Sequence, residues 1–348
     1  MKHCNLEKVD SLMKQLIEDN VAPGISIAVV TENEKWMNCY GNRQLIPEVE
    51  ANTIDTIWDL ASISKVLVTT TCILKLIEEG LISLDTTIKS IIPELQNETL
   101  TIKECITHTS GFPADVVGYK TMSKEEVYEK VYTMDKEAEL VNKVNYSDVN
   151  FIILGLVIAR LKGSLDAYAR EVMFEPLQMF NTYYCPGPEL KSRCAAYEEI
   201  EARGGVVRGV VHDGKAYKLG GVSGHAGAFS TLEDITHFVE MLLNDGVYHG
   251  ERFFEESTIE LLKTCQTPDK NEFRSIGWIL SDKNYPLGDY FSEHTIYHTG
   301  FSGPSILVDL EKKLGCIVLC NRVHPSRDNK KILTARKDIH NVVYSLID

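Results

Sequence analysis

The chain has 348 residues, of which 44% are hydrophobic and 25% charged, a balance typical of an ordinary soluble globular protein. Its formal net charge of -14 argues against nucleic acid and anionic membrane surfaces as partners. No apolar signal segment follows Met1, and the apolar run 151–159 is too short to span a bilayer. We therefore expect a cytoplasmic protein with no membrane span.

The nine cysteines are scattered through the sequence and form no pair with the spacing of a zinc site. Several lie in apolar surroundings, which favours reduced, buried thiols. We therefore expect neither disulfides nor a metal, and we expect no cofactor. The cysteines are Cys4, Cys39, Cys72, Cys105, Cys185, Cys194, Cys265, Cys316 and Cys320.

Apolar spacing predicts a helix over 5–19, and then a buried strand over 24–30 with a hairpin partner over 35–40. A helical pattern follows from Ser62 to Gly80, where the glycine is a plausible C-terminal cap. The elements predicted beyond it are helices over 123–133, 150–162 and 329–346, strands over 293–298, 305–309 and 314–320, and loops over 108–120 and 181–224.

Strands at both ends of the chain with helices between them predict an α+β fold. One antiparallel sheet is built from both termini, helices flank it, and a helical domain is inserted to one side. We expect a single unit in which an α/β subdomain covers about 1–75 and 235–348, and a mainly helical subdomain covers about 76–234.

The segment with the clearest chemistry is Ser62-Ile63-Ser64-Lys65. If Ser62 begins a helix, Lys65 lies one turn further along the same face, where an ammonium can help to deprotonate the hydroxyl. A second Ser-x-x-Lys, at Ser11 and Lys14, lies in an ordinary amphipathic stretch and is interpreted as a solvated helix face.

Two further segments could supply partners for Ser62. Tyr146-Ser147-Asp148 precedes the apolar helix, so Ser147 or Asp148 can cap that helix while the loop presents the Tyr146 phenol. His298-Thr299-Gly300 ends a predicted strand, and Gly300 would allow another group to approach the strand edge closely. A hairpin turn alone would also explain the second segment.

The ordered set Ser62-x-x-Lys65, Tyr146-x-Asp148 and His298-Thr299-Gly300 resembles the superfamily of class C β-lactamases and penicillin-binding proteins. That superfamily also includes D-alanyl-D-alanine carboxypeptidases, D-aminopeptidases and family VIII esterases. The similarity extends from about Val21 to the C-terminal helix. It includes the connecting segments Gly80–Asp85, Thr107–Gly111 and Ala226–Thr231.

The resemblance implies a β-lactamase/transpeptidase-like fold and a serine hydrolase that works through a covalent acyl-enzyme. Ser62 would be the nucleophile, Lys65 would share a proton network with it, and Tyr146 would act as general base. The backbone N–H groups of Ser62 and Phe301 would form the oxyanion hole. His298 would complete the catalytic set, with Asp148, Thr299 and Gly300 in support.

Class C β-lactamases carry Tyr-x-Asn and Lys-Thr-Gly, whereas this chain has Asp148 and His298 at the corresponding positions. A carboxylate in place of an amide and a mostly neutral imidazole in place of an ammonium predict a more negative pocket. We therefore expect poor hydrolysis of carboxylate-bearing β-lactams. Small esters, amides or D-amino-acid peptides are the expected substrates.

Three alternatives remain open at this point. The chain could be a catalytically silent binding or scaffold protein of the same fold, or a true penicillin-binding β-lactamase or DD-carboxypeptidase. A metal hydrolase using His212, Asp213 and His225 is a further alternative, although their spacing matches no metal motif. The oligomeric state and the natural substrate are not predicted.

Overall fold

The computed structural model describes residues 3–282, 285 and 287–347. Its strands are β1 (Gly24–Thr31), β2 (Lys35–Gln44), β3 (Glu50–Ala51), β4 (Trp58–Asp59), β5 (Tyr183–Tyr184), β6 (Ala196–Ile200), β7 (Gly205–Arg208), β8 (Ala228–Ser230), β9 (Val247–Tyr248), β10 (Glu251–Arg252), β11 (Ile279–Leu280), β12 (Thr295–Thr299), β13 (Ser305–Asp309) and β14 (Leu314–Cys320).

Its α-helices are α1 (His3–Glu18), α2 (Thr71–Glu78), α3 (Ile102–Ile106), α4 (Lys124–Tyr132), α5 (Asp148–Lys162), α6 (Leu165–Ala169), α7 (Gly214–Lys218), α8 (Leu232–Leu243), α9 (Glu256–Lys263) and α10 (Ile332–Tyr344). A π-helical segment over Lys65–Thr70 precedes α2, and another over Arg170–Phe174 follows α6. Short 3₁₀ turns lie at 88–90, 119–121, 188–193 and 201–203.

The main sheet combines strands from both ends of the chain, as the sequence predicts. Within the described residues seven strands follow the order β11-β12-β13-β14-β1-β2-β3, and all neighbouring pairs are antiparallel. The pairing of β1 with β14 joins the two termini, with Ile27 opposite Val318. The predicted α+β class and the antiparallel sheet are therefore confirmed.

Both faces of the sheet are buried, which explains why its central strands are nearly continuous apolar runs. In β1, Ile27 and Val29 belong to the core beneath α1 and α10, whereas Ala28 and Val30 belong to the core on the opposite face. α8 packs on that opposite face through residues such as Val239. Because successive side chains of a strand point to opposite faces, β1 contributes to both cores.

A small second sheet carries the segment that precedes Ser62. β4 pairs with β8, and β8 pairs with β5. These strands come from 58–59, 183–184 and 228–230, so the sheet joins both predicted subdomains. The proposed division at 75 and 235 stays a prediction.

Two sequence expectations need correction. The helix predicted from Ser62 to Gly80 is not one continuous α-helix, because a π-helical segment covers Lys65–Thr70 before α2 begins. The predicted loop 181–224 contains β5, β6, β7 and α7, which are too short to give a clear apolar period. Gly80 does follow the end of α2 with φ of 71°, as a C-terminal glycine should.

Candidate active site

A cavity of about 680 Å³ opens where β12 ends beside the turn that carries Ser62. It brings together residues from all three sequence motifs. Those that line it are Ser62, Tyr146, Asp148, His298, Thr299, Gly300 and Phe301. The other Ser-x-x-Lys has no such surroundings. Ser11 is exposed on α1, and Lys14 pairs with Asp10 at 2.6 Å.

The turn before Ser62 is held in an unusual conformation. Ala61 has φ of 48°, in the left-handed region that a residue with a Cβ seldom adopts. Its N–H donates to Oδ1 of the buried Asp59 at 2.8 Å, while Oδ2 of Asp59 accepts from the N–H of His212 at 2.6 Å. Asp59 thereby fixes the direction in which the chain enters Ser62.

Lys65 lies directly behind Ser62 and is fully buried. Its Nζ is 3.0 Å from Ser62 Oγ, 2.8 Å from Asp148 Oδ1 and 3.0 Å from the carbonyl oxygen of His225. Burial alone would lower the pKa of Lys65, but the negative charge of Asp148 and the neighbouring Tyr146 outweigh it, so the pKa is raised. The ammonium form is therefore the stable one in this structure.

The Tyr146 ring is surrounded by cations and imidazoles. Its centroid is 4.9 Å from Lys65 Nζ and 5.7 Å from Arg274 Cζ, and the rings of His108 and His298 lie at 4.6 and 5.9 Å. The side chain is 36% exposed, so it remains accessible from the cavity. The Tyr146 ring therefore lies beside two positive charges and can be reached from the cavity.

The loop of Tyr146 is not capped in the way that the sequence suggests. Ser147 occupies the N-cap position of α5, but its hydroxyl donates to the carbonyl oxygen of Pro113 at 2.6 Å and makes no capping bond. Its N–H donates to Nδ1 of the buried His108 at 3.1 Å. Tertiary partners in the loop after α3 therefore hold Tyr146 in place.

Asp148 is not the free anion that the sequence suggests. Its Oδ1 binds Lys65 at 2.8 Å and its Oδ2 binds Lys215 Nζ at 3.0 Å. Burial opposes ionisation, but the positive charge of Lys65 above all, with further contributions from His225 and Lys215, lowers the pKa of Asp148 to about 2. The carboxylate thus bridges two ammonium groups.

Lys215 was not among the residues predicted for the site. Its Nζ also lies 3.1 Å from Asp115 and 3.6 Å from Asp213, and its side chain is only 6% exposed. The sequence offers the neighbouring His212 and Asp213 as candidate metal ligands, but it contains no signal that Lys215 contacts Asp148. Only the folded chain brings the two together.

The residues of the metal alternative do not assemble as predicted. Asp213 Oδ1 is 2.9 Å from His225 Nε2, whereas His212 Nε2 lies 2.9 Å from Glu198. Ligand atoms of Asp148, Asp213 and His225 do lie within 4.8 Å of one another. Because Lys65 and Lys215 bind the same carboxylates, this group is an ion-pair network in the structure.

His298 closes the other side of the cavity. Its Nδ1 donates to the carbonyl oxygen of Thr299 at 2.9 Å, which leaves Nε2 as an acceptor without a hydrogen-bond partner among the described residues. Burial, with the positive charges of Arg274 and Lys65, holds the pKa of His298 well below its usual value. The imidazole is therefore neutral at pH 7.

The end of β12 packs directly against the Ser62 turn. A Cβ at Gly300 would lie 2.7 Å from the carbonyl oxygen of Leu60, so only glycine fits without a shift of the backbone. Ser302 Oγ donates to the carbonyl oxygen of Asp59 at 3.3 Å. Within the described residues, neither the N–H of Ser62 nor that of Phe301 makes a hydrogen bond.

The lining of the cavity contains more basic than acidic residues, so Asp148 and His298 alone do not determine its charge. Its basic lining residues are Lys215, Arg274, Arg322, Arg327, Lys330 and Arg336, and its acidic ones are Asp115, Asp148 and Asp213. Glu272 and Glu198 lie behind Arg274 and Arg327, and even with them basic groups are in excess. The expected poor hydrolysis of carboxylate-bearing β-lactams stays a prediction.

Arg274 is the most buried of these cations, with 1% of its surface exposed. Its Nε binds Glu272, but its Nη1 has no hydrogen-bond partner among the described residues. A buried guanidinium nitrogen without an acceptor is costly unless a ligand supplies one. No sequence signal indicates Arg274, because it belongs to none of the three motifs.

The fold agrees with those of solved structures over nearly the whole chain. A class C β-lactamase superimposes with a TM-score of 0.79 at 17% identity, covering 99% of this chain and 96% of the other. EstCE1, described as a hydrolase with promiscuous acyltransferase activity, gives a TM-score of 0.77 at 18% identity over 97% and 98% of the two chains. The predicted β-lactamase/transpeptidase-like fold is confirmed.

The beta-lactamase family model matches residues 9–341. The chain therefore belongs to the beta-lactamase family. A relative from Salmonella agona, named "Putative D-alanyl-D-alanine carboxypeptidase", is 28% identical over 369 aligned positions, which cover 94% of this chain and 85% of the relative. These similarities confirm the superfamily that the three sequence motifs indicate.

No helix among the described residues is both long enough and apolar enough to cross a membrane.

Proposed function

We propose that this chain is a serine hydrolase that cleaves small amides, esters or D-amino-acid peptides through a covalent acyl-enzyme. Ser62 Oγ attacks the carbonyl carbon, and the network of Tyr146 and Lys65 takes the hydroxyl proton and returns it to the leaving group. Water then attacks the ester carbonyl, gives a proton to the same network and regenerates the Ser62 hydroxyl.

The observation that carries this proposal is the 3.0 Å contact between Ser62 Oγ and the buried Lys65 Nζ, on the wall of a cavity. A hydroxyl beside a fixed ammonium, with the Tyr146 ring 4.9 Å from that ammonium, has a route for its proton. The unbonded N–H groups of Ser62 and Phe301 support an oxyanion hole, because developing negative charge needs free donors.

The cations of the cavity support a substrate that carries a carboxylate. Arg274 Nη1, buried and without a partner among the described residues, is suited to donate a hydrogen bond to a carboxylate oxygen beside the neutral His298. The name of the Salmonella agona relative, a carboxypeptidase, agrees with a peptide that ends in a free carboxylate. We propose peptides of this class ahead of neutral esters.

The nucleophile is tested by labelling with a fluorophosphonate probe and by hydrolysis of a nitrophenyl ester. Ser62→Ala is expected to lose both, because the change removes the hydroxyl that lies 3.0 Å from Lys65 Nζ. Ser11→Ala, which changes the other Ser-x-x-Lys, is the matched control and should retain both. Labelling of the Ser62→Ala protein would show that the nucleophile is a different residue. A native protein that forms no adduct would favour the silent binding protein.

The substrate class is tested with a D-Ala-D-Ala peptide and its C-terminal amide. The free acid is expected to have the lower KM, and Arg274→Gln should raise the KM of the acid by about tenfold while leaving that of the amide unchanged. Ester hydrolysis by Arg274→Gln reports whether the site remains intact. Equal KM values for acid and amide in the native protein would exclude carboxylate recognition.

A further inference from the structure

We propose that Lys215 is a positioning residue that, through Asp148, sets the pH above which the proton network of Ser62 becomes active. The inference rests on the proposed function, because it concerns the same nucleophile. It goes beyond that function by assigning a role to a second buried lysine, outside the three sequence motifs.

In the structure, Asp148 connects Lys215 with Lys65. The two oxygens of Asp148 are divided between the two ammonium groups, with Oδ1 at 2.8 Å from Lys65 and Oδ2 at 3.0 Å from Lys215. Both lysine side chains are at most 6% exposed. Since water screens these charges weakly, a change at Lys215 is felt at Lys65.

Further charged and titratable groups face Lys215 from the elements packed around it. Asp213, at the start of α7, lies at 3.6 Å, and Asp115, in the loop after α3, at 3.1 Å. The ring of Tyr119 lies 5.3 Å from its Nζ. The imidazole of His225 also faces these carboxylates, with its Nε2 2.9 Å from Asp213 Oδ1. Lys215 is the lysine that pairs with both Asp148 and Asp213 on this side.

The groups that face Lys65 and Tyr146 come from other elements. The carbonyl oxygen of His225 accepts from Lys65, and the rings of His108 and His298 pack against Tyr146. Arg274 adds a positive charge at 5.7 Å from the phenol ring. None of these groups pairs with Asp148 in the way that Lys215 does, so their charges do not replace its charge.

Loss of the Lys215 ammonium would leave Asp148 and Asp213 as neighbouring carboxylates with one cation fewer between them. The more negative potential at Lys65 and Tyr146 would favour the protonated form of whichever group serves as base. The base would then require a higher pH to accept the Ser62 proton. One charge at this distance inside a protein shifts such an equilibrium by about one pH unit.

The test is the pH profile of kcat/KM for an uncharged nitrophenyl ester, a probe that carries no carboxylate of its own. Lys215→Met is expected to move the acid limb up by about one pH unit, so that activity falls about tenfold near neutral pH and recovers at higher pH. Lys215→Arg, which keeps the charge, should retain the native limb. Lys218→Met on the same helix is the matched control and should match the native profile.

Asp213→Asn provides the opposite change and keeps the capping group of α7. Removal of this negative charge is expected to move the acid limb down, and the Lys215→Met, Asp213→Asn double variant should return it toward the native position. If its melting curve shows that Lys215→Met does not fold, the acid limb of Asp213→Asn alone tests the inference. An unmoved limb in the folded single variants would overturn the inference.

The two proposals fail in different ways. If the Ser62→Ala protein still hydrolyses the ester, the proposed function is wrong. If hydrolysis depends on Ser62 but Lys215→Met lowers kcat/KM equally at every pH, Lys215 has only a structural role and this inference alone is wrong.

Discussion

Gly300 shows how one missing side chain shapes the candidate site. The strand end approaches the carbonyl of Leu60 so closely that a Cβ would lie 2.7 Å from the oxygen and 2.6 Å from Pro304 Cγ. This contact places the N–H of Phe301 beside the Ser62 turn. The sequence predicts a close approach at Gly300 but does not identify Leu60 as the partner.

Gly300→Ala is expected to lower kcat for the nitrophenyl ester by roughly 10²-fold, because the backbone must shift and one oxyanion donor moves with it. The KM should change less, since the arginines of the cavity remain in place. Gly187→Ala is the matched control, because Gly187 has φ of -62° and the atoms nearest to a Cβ there belong to the carboxylate end of the flexible Glu189 side chain. An unchanged kcat in Gly300→Ala would contradict the proposed oxyanion hole.

At the residue scale, the sequence could place Ser62, Lys65, Tyr146 and His298 because they lie in three short motifs. It could not place Lys215, whose partner Asp148 is distant in the chain and whose own surroundings read as a polar loop. An ion pair of this kind depends on tertiary approach, which local pattern does not encode. The arginines that line the cavity are brought there by tertiary approach as well.

At the element scale, β3 and β7 are joined by a network of charge-assisted hydrogen bonds. Glu50 of β3 accepts from Arg208 of β7 through both carboxylate oxygens, at 2.6 and 2.7 Å, and from Arg43 at 3.0 Å. The hydrogen bond from Arg208, together with its charge and that of Arg43, lowers the pKa of Glu50 to about 2.

Glu50→Gln is therefore expected to lower the Tm at pH 7. Because the folded pKa lies below the unfolded one, the stabilisation is complete above about pH 4.5 and is lost as the pH falls toward 2. The Tm difference between native protein and variant should narrow over that interval. A difference that stays constant down to pH 2 would show that the carboxylate charge is not the cause. Glu48→Gln is a neighbouring control.

Strand predictions were most successful where apolar residues run between turn signals. β13 and β14 have the predicted bounds because each is a short buried run. The two-residue strands β4 and β5 escaped prediction, since their pairing with β8 is determined by the partner strand. The π-helical start at Lys65 also has no sequence period of its own, and such segments are frequent at functional sites.

At the scale of the whole molecule, a chain with a net charge of -14 encloses a cavity with more basic than acidic groups. The net charge of the whole chain therefore does not predict the charge of this cavity. The described cysteines are free thiols, and the buried ones are Cys72, Cys105, Cys194, Cys316 and Cys320. The expectation of buried thiols fails at Cys185, which is exposed, and at Cys39 and Cys265, which are partly buried. The side chain of Cys4 lies outside the described residues.

The fold therefore depends on no covalent cross-link among these cysteines. The Tm is expected to be the same with and without dithiothreitol, because the stability comes from the two cores on either side of the main sheet. Differential scanning fluorimetry on freshly purified protein makes the comparison. A lower Tm in reductant would reveal a disulfide and contradict the free-thiol state.

The central claim is that the substrate's acyl group is carried by Ser62. The direct measurement is a rapid acid quench during turnover of an activated ester, followed by digestion and mass spectrometry of the peptides. We predict an added acyl mass on the peptide that contains Ser62, and none in the Ser62→Ala protein. An acyl mass on another residue, or turnover with no covalent adduct at any time point, would contradict the account.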